Sequence, residues 1–372
     1  MDGYLFAANI VRMRRERKLT QEQLADFIGV TKASVSKWET GQTMPDIILL
    51  PQLAGFFDVT VDELIGYRPQ MSKDQIRKLY QEFSKLFASR PFLEVMEQLQ
   101  TYIRRYYSCY PFLFQAGILL LNHYMLSGGK EKQQEVLNYI SRLCVHIEED
   151  CRDVGLCNEA VVLRAMADLQ SGRILEVMDA LEEMTKPYRL SRQSGAVLSQ
   201  AYILQGEVNR ADSLIQGGMY SDIMSLVGNA TLFLALHADD LRICEETVAR
   251  IETVAEVYEL SKLNPNSMAV FEYQAAQCYG MHGRKEEALC HAKKYVSCLL
   301  ELLSRDRMEL HGDWYFDGLE EWFEETDNGT NAPRHRKLVV EDVRESFSHP
   351  AFDSLEGDPV FERLKKRLKE IR

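Results

Sequence analysis

Residues 20–41 read TQEQLADFIGVTKASVSKWETG, and the spacing inside this stretch decides how the rest of the chain is read. Thr20 followed three places later by Gln23 is capping-box spacing, so a short helix begins there. Leu24, Ala25 and Ile28 give that helix an apolar face. Gly29 ends it, and Thr31 is placed to cap a second helix almost at once. In the second helix Val35 and Trp38 turn inward, which leaves Lys32, Ala33, Ser34, Ser36 and Lys37 outside. Two short helices, a tight turn containing Gly and a small polar-basic outer face are what lays one helix in a major groove.

The segments LTQEQLA, GV, SKWE, G and PD (residues 19–25, 29–30, 36–39, 41 and 45–46) closely resemble the lambda-repressor-like, Xre-type helix-turn-helix family. The resemblance implies a five-helix DNA-binding domain over residues 1–68. It implies a phosphate contact at Gln21 and recognition positions at Thr31, Lys32, Ala33, Ser34, Ser36 and Lys37. Thr40 and Gln42 fall in the following turn, where side chains and backbone amides of such proteins meet phosphates. Lys32 and Lys37 have the chemistry for guanine acceptors or phosphates, Ser34 can serve either, and Ala33 offers only a methyl contact. Arg14 and Glu39 stand where the family carries an ion pair that locks the first helix to the recognition helix.

The first helix is expected over residues 4–17, with Leu5, Ala8, Ile10 and Met13 facing inward. Lys18 stands where the family commonly has Gly, so a left-handed strain is expected there. A fourth helix is expected over residues 47–57, with Pro51 bending it or sitting in its first turn. Thr60 with Glu63 opens a fifth, ending at Gly66. The domain boundary is expected near residues 67–72, where Arg68-Pro69-Gln70 breaks the periodicity, and the linker over 69–74.

At 372 residues the chain is long enough for two domains. Its net charge of −12 is unusual for a DNA binder, but the charge is unevenly placed. Residues 1–68 hold eight Lys/Arg against nine Asp/Glu, and the remainder holds 36 against 47. The acid therefore lies mostly away from the reading head. No apolar run approaches the length of a membrane span, and the first residues do not read as a signal peptide, so the expectation is a cytoplasmic protein without a membrane role. Eight cysteines without a C-x-x-C pair read as packed thiols. Cys144 with His146, and Cys290 with His291, each lack the second pair that a zinc site needs, so no metal and no cofactor are expected. Cys151 and Cys157 read as packing sooner than as a redox pair.

Beyond residue 72 no strand alternation occurs, which makes the chain all-α. Gly172 and Gly206 lie 34 residues apart, as do Asp168 and Tyr202, and Val177 and Ala211. Ala276, Tyr279, Gly283 and Ala288 repeat the internal spacing, and Asp240 lies a further 34 beyond Gly206, in a degenerate unit starting at Leu232. This pattern is similar to divergent tetratricopeptide repeats and implies a stacked α-solenoid over residues 75–325. A loop and capping helices are expected over 326–372, with Phe361, Leu364, Leu368 and Ile371 forming the buried stripe of the last helix.

No nucleophile elbow, phosphate loop, zincin motif or dinucleotide-binding pattern occurs, so no catalytic residue is expected and the chain does not read as an enzyme. The expected function is sequence-specific reading of double-stranded DNA by a homodimer on a palindromic operator. The order of domains resembles the Gram-positive peptide-pheromone receptors, which implies a short peptide in the repeat groove. Asn122, Gln200, Asn229 and Tyr273 are the candidate polar contacts to its backbone. The alternative is an interaction scaffold or antitoxin-like autoregulator whose repeats bind another protein.

Overall fold

A computed structural model describes residues 3–67, 70–185, 194–304 and 308–371. Arg68 and Pro69 of the expected boundary lie outside the described residues. The chain divides into two units, Met1–Ser72 with Arg104–Cys109, and Lys73–Ile103 with Tyr110–Arg372. Among the described residues there is no strand; Glu309 and Asn331 form an isolated antiparallel bridge.

The first unit holds α1 (Gly3–Glu16), α2 (Gln21–Ile28), α3 (Lys32–Glu39), α4 (Leu50–Phe57) and α5 (Val61–Ile65). Both expected capping boxes form. The Thr20 side chain accepts from the Gln23 amide while the Gln23 side chain accepts from the Thr20 amide, and Thr60 with Glu63 does the same at α5. Pro51 sits in the first turn of α4, after a short 3-10 turn over Ile47–Leu49, where its missing N–H costs nothing. Lys18 adopts a φ of 57°, the left-handed conformation that a non-Gly residue takes at a cost of about 1–2 kcal/mol.

α1 is turned relative to expectation. Phe6, Ala7, Ile10 and Met13 are buried, and Leu5 and Ala8 are exposed. The spacing 6, 10, 13 is the better helical stripe, and the larger Phe6 takes the inward place. Phe6 and Ile10 join Leu24, Ile28, Val35, Trp38, Leu53, Phe57 and Leu64 in one small core.

The second unit begins with α6 (Lys73–Phe87), α7 (Phe92–Arg105), α8 (Tyr110–His123), α9 (Lys130–Asp150), α10 (Val154–Gln170) and α11 (Ile174–Leu181). It continues with α12 (Ser194–Gln205), α13 (Val208–Leu236), α14 (Leu241–Val257), α15 (Leu260–Leu263), α16 (Pro265–Met281) and α17 (Lys285–Leu302). α18 (Leu319–Glu325), α19 (Arg336–Arg344) and α20 (Pro359–Lys369) close the chain. The glycines that carried the repeat spacing do turn hairpins: Gly172, Gly206 and Gly283 have φ of 77°, 82° and 68° between α10/α11, α12/α13 and α16/α17. Ala276 and Ala288 are fully buried where α16 and α17 approach.

The unit expected from Leu232 is not a separate hairpin. Asp240 caps α14 through the amides of Arg242 and Ile243, yet everything from Val208 to Leu236 is one helix of 29 residues. No proline interrupts it, and Gly217 serves packing instead of a turn: a Cβ there would lie 2.4 Å from the Trp322 ring on α18. α13 is long and apolar enough to cross a membrane, but it carries Arg210, Asp212 and Asp222 and packs on α12, α14, α16 and α18.

The expected loop over residues 326–334 is pinned to the start of the same unit. Arg77 pairs with Glu324 and donates to the carbonyls of Thr326 and Asp327, Gln115 Nε2 donates to Asp327 at 2.6 Å, and Tyr80 donates to the Pro333 carbonyl. Phe361, Leu364, Leu368 and Ile371 are buried as one stripe against the neighbouring helices.

Trp38 is only 4% exposed at the centre of the small core. Trp38→Ala is expected to lower stability by about 3–5 kcal/mol, measured by denaturant unfolding; an unchanged midpoint would remove Trp38 from the core.

Candidate nucleic-acid interface

α3 is short, and its cap does much of the work of starting it. The Thr31 side chain accepts from the Ser34 amide at 3.1 Å, and the Thr31 and Ser34 hydroxyls lie 2.8 Å apart. Val35 and Trp38 anchor the inner side, so the outer side follows from the helical period alone. Lys32, Ala33 and Lys37 are exposed there, with Ser34 and Ser36 half-buried. Lys32 Nζ lies 3.6 Å from Glu22 of α2, an exposed pair worth well under about 1 kcal/mol and therefore easily exchanged for another anion.

The orientation of α3 is set from behind. Arg14 Nε donates to Glu39 Oε1 at 2.5 Å and Nη2 to Oε2 at 2.9 Å, a bidentate fork between α1 and the last turn of α3. The side chains are 12% and 6% exposed. Arg14 Nη1 also donates to the Leu19 carbonyl at 2.6 Å, so the same guanidinium holds the turn leading into α2. Burial pushes the Glu39 pKa up, but the hydrogen bonds from Arg14 and Gln21 and the Arg14 charge outweigh it, and the carboxyl lies below its usual range.

Two of the side chains expected at phosphate, those of Gln21 and Thr40, are engaged inside the protein. The Gln21 amide donates to Glu39 Oε2 at 2.9 Å, which makes its side chain part of the ion-pair cluster. Gln21 is nonetheless the first residue of α2, and amides at a helix start are free to face an anion. The Thr40 hydroxyl turns back to the carbonyls of Ser36 and Lys37. The amides of residues 40–43 are also taken, by Ser36, Trp38 and Lys37 carbonyls, because this turn closes α3. Gln42 keeps an exposed side chain beside an occupied amide. Thr43, which the sequence did not single out, is exposed next to it.

The basic run at residues 12–18 is less available than its charge suggests. Arg12 pairs with Glu16, Arg14 with Glu39, and Arg17 donates to the Phe56 carbonyl while lying over the rings of Phe56 and Phe57. Ile47 and Ile48, read as part of a helix, are 77% and 71% exposed just before α4.

The four groove candidates sit on four helices, α8, α12, α13 and α16. Asn122 donates to the Ile118 carbonyl within α8, and the Tyr273 hydroxyl donates to the Ser346 carbonyl at 2.6 Å, where it holds the C-terminal segment. Gln200 is exposed on α12. Asn229 lines a concave surface, an open groove between α13 and α14 that includes Leu226, Phe233, Arg242 and Arg250.

The metal-like pairs come apart. Cys144 is buried with its thiol pushed up to about 12, while His146 pairs with Asp150. Cys290 is exposed, whereas the buried His291 accepts or donates at 2.6 Å with the buried Glu272. Glu252, Glu272 and His291 could group around a cation, but Lys294 already places its ammonium on Glu252. Cys157 donates to the Cys151 carbonyl and burial raises its pKa, the opposite of an activated thiol.

Arg14→Met should cost about 3–5 kcal/mol of stability by stranding a buried carboxylate. The double variant Arg14→Met/Glu39→Met should recover much of that loss. Equal costs for the single and double variants in a denaturant-unfolding cycle would show that the pair does not act as a unit.

The helix-turn-helix family (HTH_3) matches residues 10–64. The transcriptional activator BcrR of Enterococcus faecalis is 40% identical over 61 residues, 16% of this chain and 30% of BcrR, so the chain spans under a third of that relative. The uncharacterized regulators YqaE and YobD of Bacillus subtilis (strain 168) are 28% and 33% identical, over 23% and 21% of this chain and 76% and 70% of their own. Among solved structures, the apo form of the competence regulator ComR from Streptococcus vestibularis aligns over 88% of this chain and 99% of its own, with 14% identity and a TM-score of 0.25. By the relatives it shares over its first helices, the chain belongs to the helix-turn-helix transcriptional regulators.

Proposed function

We propose that this regulator binds its operator as a homodimer in the cytoplasm, with one α3 in each of two half-sites. The observation that carries the reading is the buried Arg14–Glu39 fork, which fixes α3 so that Lys32, Ala33 and Lys37 face outward together. A helix with two lysines, a methyl and hydroxyls on its outer face has donors for guanine O6/N7 and for phosphate. One such helix reads only a few base pairs, and two-fold pairing doubles the site at a spacing of about one DNA turn. Lys32, Ala33, Ser34 and Lys37 are the base-reading set in this proposal. Thr31, Ser36 and Gln42 flank them, and Gln21 contributes its amide at the start of α2. Thr40 acts by closing the helix.

The second unit serves as the sensor. The groove between α13 and α14 offers an apolar floor from Leu226, Phe233 and Ile243, an amide at Asn229, and charges at Arg242, Glu246 and Arg250. Apolar pockets beside a side-chain amide suit a short extended peptide, whose backbone needs polar partners. Residues 1–72 thus carry the DNA-reading role and the helices from residue 73 onward the sensing role.

Lys37→Ala is expected to weaken binding to the specific operator by about 1–3 kcal/mol while changing binding to unrelated duplex far less. Gel shifts with both duplexes at one salt concentration make the comparison. An equal loss on both would make Lys37 a phosphate contact and remove it from the base-reading set.

A further inference from the structure

A DNA duplex is held largely through its phosphates, so a reading head needs cations that the protein has not already engaged. Residues 1–68 hold eight Lys/Arg. Arg12 pairs with Glu16, Arg14 with Glu39, and Arg17 donates to the Phe56 carbonyl. Lys32 and Lys37 belong to the base-reading set above, and Arg68 lies outside the described residues. Arg15 and Lys18 are left. Both are exposed, and among the described residues neither side chain has a hydrogen bond or an ion pair.

Lys18 also sits where a lysine is strained. The Leu19 amide donates to the Arg14 carbonyl at 3.1 Å and the Lys18 amide to the Arg15 carbonyl at 2.9 Å. These are the two bonds of a Schellman motif, with Lys18 in its left-handed place at a φ of 57°. The same pair of bonds closes α3, α5, α10, α12 and α16, and there the place is held by Gly41, Gly66, Gly172, Gly206 and Gly283. At the end of α4 it is held by Asp58, a short polar residue that tolerates the conformation. A long side chain kept at such a position points to a use for that side chain.

The two residues stand beside elements that the operator reading already brings to DNA. Lys18 precedes Gln21 by three residues, across a turn that Arg14 holds through the Leu19 carbonyl. Burial works to raise the Glu39 pKa, the hydrogen bonds from Arg14 and Gln21 lower it, and the charges of Arg14 and Arg15 lower it further. Arg15 therefore lies near the carboxylate that ends α3 and binds the Gln21 side chain. We propose that Arg15 and Lys18 grip the DNA phosphates next to the start of α2, and so position α3 along its groove. The proposal deepens the operator reading given above and rests on it.

The test is the salt dependence of binding to a mixed-sequence duplex, followed by fluorescence anisotropy with the full chain. Arg15→Gln and Lys18→Gln should each weaken binding and reduce the slope of log affinity against log salt by about 1, the counterion released at one phosphate contact. Lys37→Ala should leave that slope nearly unchanged, because its contact is expected on the specific site. Lys18→Gly separates charge from backbone. It should flatten the slope as Lys18→Gln does while raising the denaturant midpoint, since Gly takes the left-handed place freely. A wild-type slope in either Gln variant, with Lys37→Ala behaving as expected, overturns the phosphate grip and leaves the operator reading intact. The charges would then serve only the carbonyl end of α1, and the Gln variants would lose stability without losing slope. If Lys37→Ala flattens the slope as much as the Gln variants do, the grip stands and Lys37 leaves the base-reading set. A full chain that binds no duplex at any salt overturns both.

Discussion

The buried fork between Arg14 and Glu39 is the contact on which the reading head depends. It joins α1 to the end of α3, and through the Leu19 carbonyl and Gln21 it also fixes where α2 begins. Two desolvated charges are expensive to keep, and they are favourable only with complete hydrogen bonding. Here both carboxylate oxygens and all three guanidinium nitrogens have partners. A short helix of eight residues has little stability of its own, so its aim is set by what it is bolted to. The outer face of α3 is thus a consequence of its inner one.

The second unit solves a different problem. Its hairpins need neighbours to cover their apolar faces, and α13 provides a 29-residue spine against which α12, α14, α16 and α18 pack. Arg77 and Tyr80 of α6, and Gln115 of α8, then tie the start of the unit to its late loop across more than 200 residues of chain. Exposed apolar side chains concentrate where that packing is thinnest, at α11 and α12.

What was legible in the sequence was local. Capping boxes at Thr20 and Thr60 depend on neighbours within one turn and occur where the spacing placed them; Lys18 is left-handed as the resemblance implied, Pro51 takes the first-turn place of its two expected ones, and the hairpin glycines occur where the 34-residue spacing put them. The inward face of α1 slipped because Leu5 and Phe6 compete for one place and only tertiary packing chooses between them. The continuous α13 was hidden because a repeat spacing survives when the turn between two helices is lost. Gln21, Thr40, Asn122 and Tyr273 looked free for ligands, but each hydrogen bond that engages them depends on where a second polar group happens to fall.

The measurement that bears most directly on the account is selection of bound sequences from random duplex DNA by the purified full chain at near-physiological salt. A dimeric operator reader should enrich an inverted repeat with half-sites about one helical turn apart. Salt-sensitive binding without sequence preference would contradict it, since α3 would then touch phosphate alone.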